Sequence, residues 1–187
     1  SPAGIPQPGD NLTITASHIV SMASNGSCNN LTVKGTSNWT VARTINVGGN
    51  LTINNGGSIT GTATGTLNVT GTLNVPASAA ATIGRTTINV TGASSISGTL
   101  TFSVINGAKT FTDVTINSGG TWNSTVAEDF DVSGNFVNNG TFTANTGRYD
   151  FLGSSKTFSG CSTSIFDDLN TSGTYTNNGT VQANSRI

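Results

Sequence analysis

Apolar residues fall along this chain in pairs split by one polar residue: Leu31/Val33, Ile45/Val47, Leu51/Ile53, Leu67/Val69, Leu73/Val75 and Ile88/Val90. A period of two predicts short strands with one buried face. No stretch places apolar residues at helical spacing between capping residues, so helices are not expected. Equivalent pairs recur every 19 to 24 residues. That is the mark of a chain that coils as a solenoid. The stretch Leu31/Val33, Trp39/Val41, Ile45/Val47 supplies three pairs within one repeat. The expected fold is therefore all-β, a parallel β-helix with about three short strands per coil and roughly eight to nine coils.

Residues 1–9, with Pro2, Pro6 and Pro8, cannot join a ladder freely and read as a strap leading in. Residues 10–187 then read as a single solenoid domain. The first coil offers Leu12/Ile14 and Val20/Met22, with a loop expected over Ala23 to Cys28. Ile96, Leu100/Phe102 and Phe111 carry the fifth coil, and Val114/Ile116, Trp122 and Phe130/Val132 the sixth. Phe136, Phe142 and Tyr149/Phe151 carry a seventh that has lost two residues before its Asn-Asn-Gly turn. An eighth, near Phe158 and either Ile165 or Phe166, is the least regular, and Leu169, Tyr175 and Val181 begin a ninth. The segment NNGTVQANSRI carries no cap for its ladder edge. The domain is thus expected to belong to a longer chain, with other domains of that chain among its partners.

Two turns recur. In Val47-Gly-Gly-Asn, Val69-Thr-Gly-Thr, Val90-Thr-Gly-Ala and Val132-Ser-Gly-Asn, the Gly is expected to supply a positive φ. In the Asn-Asn-Gly turns at 54–56, 138–140 and 177–179, Asn is expected to stack on its neighbour one coil away. The two-residue period also sorts the outward positions. One column reads Asn46, Asn68, Asn89, Thr110, Asp131, Asp150, and another reads Thr13, Thr32, Thr52, Asn74, resuming at Thr115.

Composition narrows the function classes. Charged residues make up only 8% of the chain and the net charge is -1, which leaves no electrostatic footprint for nucleic acid or an anionic membrane. No apolar run is long enough to insert in a bilayer. His18 is the sole histidine and lacks the partners of a triad or a zinc site. No cofactor is implied. Glu128, Asp129 and Asp131, with Asp150 one coil above, are weak calcium candidates, of which Asp129, Asp131 and Asp150 stand out. They lack the nearby Lys or Arg that polysaccharide-cleaving β-helices use, and solvated surface is the simpler reading. Thr13, Thr32, Thr52, Asn46, Asn68 and Asn89 form flat outward ladders, the candidate ligand face for a carbohydrate or ice. Trp39 and Trp122 sit at inward positions and read as core. Cys28 and Cys161 lie 133 residues apart, roughly six coils or ~29 Å at ~4.8 Å per coil, too far to pair. Both read as small buried hydrophobes.

The segments PQPGDNLTITASHIVSM, CNNLTVKGT, GNLTINNGGSITG and GNFVNNGTFTA carry a likeness that runs over residues 6–184. They resemble the repetitive segments of large adhesin-like proteins, secreted or held at the surface by type IX-secreting, often gliding, bacteria. The resemblance implies an extracellular or cell-surface location, a secretion or surface-anchoring partner, and no catalytic residue in the repeats; surface glycans are the further partner considered for the flat ladders. The function expected is a non-enzymatic structural and adhesive segment; the alternative is a solenoid that binds carbohydrate or ice.

Overall fold

The structure, a computed structural model, describes residues 6–21 and 23–186. Every element in it is a strand, 25 in all, and every strand pair is parallel. The strands stack into three sheets, of nine, seven and nine strands, and each sheet takes every third strand along most of the chain. The protein is a three-sided β-solenoid of nine coils.

Register follows the sequence repeat residue for residue. In the first sheet Leu31 lies on Leu51, Leu51 on Leu73, Leu73 on Ser94 and Ser94 on Val114. In the third sheet Val47, Val69, Val90, Phe111, Val132 and Phe151 form one inward column. All of these residues are buried. Each coil shields its apolar pair only by lying against the next, so stability is close to a sum over neighbours.

The core changes character along the axis. Up to Val90 it is mainly Leu, Ile and Val, with Trp39 the one large ring. From Phe102 onward eleven aromatic rings interlock, with centroids 4.6 Å to 6.4 Å apart. The Trp122 Nε1–H donates to Tyr149 Oη at 3.0 Å inside this cluster. Around Trp39 the backbone itself gives way: a Cβ on Gly65 would fall 1.8 Å from Trp39 Cε3.

Several local expectations need correction. Ala23 to Cys28 is not simply a loop, because Gly26–Cys28 forms the first strand of the third sheet. Val20 does not point into a core: Ile19–Ser21 is exposed throughout, with Ile19 71% exposed, and Met22 lies outside the described residues. A first coil has a neighbour on one side only, which leaves this strand little to pack against. Val41 is exposed, and the inward partner of Trp39 is Ser37. Of the strap, residues 1–5 lie outside the described residues, while Pro6 accepts a hydrogen bond from Ser27 N.

The seventh coil does join its first two strands through two residues where the sixth uses four. The second and fifth coils have the same short turn, so it is a recurring variant. In the eighth coil Phe166 is buried and Ile165 is exposed. Leu169 belongs to that same coil, paired with Tyr149 within the long strand Thr163–Thr171, and the ninth coil starts at Tyr175. That long strand carries the chain directly into the third sheet, and the second sheet stops at Thr141–Thr143.

The first recurrent turn holds Gly for a reason other than φ. Gly49, Gly71, Gly92 and Gly134 do not have positive φ. A Cβ on Gly71 would stand 2.3 Å from Gly49 O, and one on Gly92 2.2 Å from Gly71 O. The coils approach there backbone to backbone, and only hydrogen fits between them. Of the Asn-Asn-Gly turns only the one at 54–56 has a positive φ, at Gly56; Gly140 and Gly179 do not, while Gly119, Ser17 and Ser78 take that conformation at the corners that match Gly56.

Candidate binding face

The outward column of the third sheet runs in unbroken register through Ser27, Asn46, Asn68, Asn89, Thr110, Asp131, Asp150 and Asn170. Its amides bond to one another. Asn68 Nδ2 donates to Asn46 Oδ1 at 2.8 Å, and Asn89 Nδ2 to Asn68 Oδ1 at 2.9 Å. Asn170 Nδ2 donates to Asp150 Oδ1 at 2.6 Å. The candidate ligand residues Asn46, Asn68 and Asn89 therefore hold each other, coil to coil.

At the corner from third to first sheet another column bonds side chain to backbone. Asn30 Oδ1 accepts from Asn50 N at 2.7 Å, and Asn50 Oδ1 accepts from Thr72 N at 3.0 Å and Thr72 Oγ1 at 2.9 Å. Asp113 Oδ1 accepts from Asn135 N at 2.7 Å, and Asn135 Oδ1 from Thr157 N at 3.0 Å. Asn139, of an Asn-Asn-Gly turn, likewise accepts from Cys161 N at 3.0 Å. Its side chain thus engages the next coil's backbone.

The carboxylates divide into inward and outward groups. Glu128 turns into the core, where its Oε2 lies 3.3 Å from Lys109 Nζ and accepts from Asn106 N at 3.2 Å. Lys109 stands in an inward column between Ile88 and Phe130 and also donates to the backbone oxygens of Asn106 and Gly107. Burial pushes its amine below the usual lysine range, and the Glu128 charge opposes that shift. This pair is not legible in the sequence, because a lone Lys in the irregular run SVINGAK has no repeat to be compared with.

Asp129 Oδ1 accepts from Arg148 N at 2.8 Å, and Arg148 Nε donates to Asp150 Oδ2 at 2.7 Å. A basic residue does therefore stand beside these acids, against expectation. Asp150, although outward on its strand, is only 6% exposed beneath Arg148 and Asn170. Among the described residues no group of three or more His, Cys, Asp or Glu side chains converges as a metal site would require. Asp129, Asp131 and Asp150 are engaged with, or face, Arg148 and each other.

Thr13, Thr32 and Thr52 do lie in register on the first sheet, followed by Asn74, Ser95 and Thr115. A fuller array, missed in the sequence, lies on the second sheet. There Thr99/Thr101, Thr121/Asn123 and Thr141/Thr143 stack on three successive strands. The alternation was visible in TLTF and TFT, but the short seventh-coil turn obscured their alignment. His18 is exposed, with Nδ1 2.8 Å from Thr15 Oγ1. Cys28 is buried as expected and burial pushes its thiol up, whereas Cys161 is exposed in a turn.

Fold and faces together define a β-solenoid repeat protein. Compared with protein-family models, curated proteins and solved structures, the chain matches none.

Proposed function

We propose that the chain is a non-enzymatic structural and adhesive segment of a large secreted or cell-surface protein, a rigid spacer whose partners are other domains of the same chain or a surface-anchoring component. One observation carries this reading: the most regular polar side chains are spent bonding one coil to the next. A continuous core and three in-register ladders give length and stiffness, which a spacer needs. Protease shaving of intact source cells, followed by detection of this segment, tests the location. Release of its peptides is expected; retention inside shaved but intact cells would sink the reading.

A second reading has its own support. The outward Thr and Asn side chains of the second-sheet array make no hydrogen bond among the described residues, unlike the third-sheet Asn ladder. Regularly spaced free hydroxyls suit a carbohydrate or ice lattice. A glycan array and a thermal-hysteresis measurement separate these ligands, and a blank in both removes the reading.

A further inference from the structure

The third-sheet ladder has a direction. Where neighbouring side chains of this column bond, the upper donates to the lower: Asn68 to Asn46, Asn89 to Asn68, and Asn170 to Asp150. Between the sixth and seventh coils no such bond can form while both side chains are ionised. Asp150 lies directly on Asp131, and two ionised carboxylates have acceptors only. Like charges set opposite each other destabilise a sheet.

The two acids are not equivalent. Asp150 accepts from Asn170 at Oδ1 and from Arg148 at Oδ2, so both of its oxygens are engaged. The Asp131 carboxylate makes no hydrogen bond among the described residues; Thr110 lies below it and Asp150 above. The other charged groups around it are Arg148, already held by Asp150, and Asp129, already held by Arg148 N. Asp168 lies one coil further, opposite Arg148, with Asp167 beside it. Lys109 and Glu128 face inward and pair with each other, and Tyr149 is buried in the core. Burial first, then the Asp150 charge, pushes the Asp131 carboxyl up; Arg148 opposes this and Asp129 adds to it.

We propose that Asp131 and Asp150 form a proton-sharing rung, in which Asp131 takes up a solvent proton on acidification and donates its O–H to the Asp150 carboxylate. A side-chain hydrogen bond then joins the sixth coil to the seventh, as one already joins the seventh to the eighth. On deprotonation the proton returns to solvent, and two facing charges loosen the seam. The sign follows from Asp131 having a folded-state value raised above its ordinary 3.8. The contribution is fully present below that ordinary value and is lost as pH rises through the raised one.

The test is a carboxyl-carbon NMR titration of the full chain, with thermal melts of wild type and Asp131→Asn between about pH 4 and about pH 7.5. Asp131 is expected to titrate above the ordinary carboxylate range, with its inflection echoed in the Asp150 signal. Asp131→Asn removes one facing charge and restores an amide donor. It should melt above wild type at the upper pH, with the gap closing at the lower. Titration of Asp131 at or below its ordinary value would overturn the proposal, as would a gap that does not change with pH. Repeating the melts with calcium and with EDTA gives a third arm. Coincident curves support the proton-sharing rung, and stabilisation by calcium overturns it by showing that a metal ion bridges the pair.

Discussion

Replacing Lys109 by Met removes the one fully buried cation among the described residues and should be among the most damaging conservative changes in the chain. The amine has no solvent exposure and supports three acceptors: Glu128 Oε2 at 3.3 Å, Asn106 O at 2.9 Å and Gly107 O at 2.8 Å. Met fills similar volume, so the loss is electrostatic and not a cavity. It leaves the Glu128 carboxylate buried without its counter-charge, a change worth about 3–5 kcal/mol. For a chain of this size, at ~2–4 °C per kcal/mol, the expected fall in melting temperature is about 6–20 °C. Removing Glu128 as well, in Lys109→Met/Glu128→Leu, should recover most of that loss, because an apolar pair of similar volume is often as stable as a buried ion pair. Chemical denaturation of wild type, both single variants and the double variant closes the cycle. A Lys109→Met protein as stable as wild type, or a double variant that loses the sum of the singles, would refute the reasoning.

Two further outcomes follow from the stacked turns. Gly71→Ala places a Cβ against Gly49 O and should cost about 1–3 kcal/mol in a thermal or denaturant melt, whereas Gly9→Ala, with nothing near its Cβ, should be close to neutral. Asn50→Ala removes the acceptor of both Thr72 N and Thr72 Oγ1; about 1 kcal/mol of destabilisation is expected, with faster hydrogen exchange at the Thr72 amide and little change at Leu100.

The repeat made most of the fold legible. Wherever an apolar-polar-apolar triplet had copies above and below, as at Leu51/Ile53 or Phe130/Val132, both its burial and its register follow from the sequence. Legibility fails where the copies fail. Val20 fits the alternation but sits in a coil with one neighbour, and alternation says nothing about whether a partner is present. The turn glycines were identified by position but not by cause, since a sequence shows that Gly recurs and not that another backbone lies behind it. Lys109 and Glu128 sit nineteen residues apart in different coils, and only packing reveals that both turn inward. The Asn-to-Asp change at Asp131 and Asp150 was readable from the column, while Arg148 was hidden because it acts along its own strand, two residues from its acceptor.

The aromatic filling of the later coils makes the solenoid mechanically unequal along its axis. Early coils meet through small aliphatic contacts, and the first exposes Ile19 and Val20 outright. Later ones are cross-linked by rings that reach past their immediate neighbour, such as Tyr175, whose hydroxyl donates to backbone oxygens two coils down at Val132 and Gly134. Under tension the filament should therefore fray from its aliphatic side and hold at its aromatic side. Load would peel coils in sequence, and the ring-filled segment would serve as the anchor from which the peeled ones zip back.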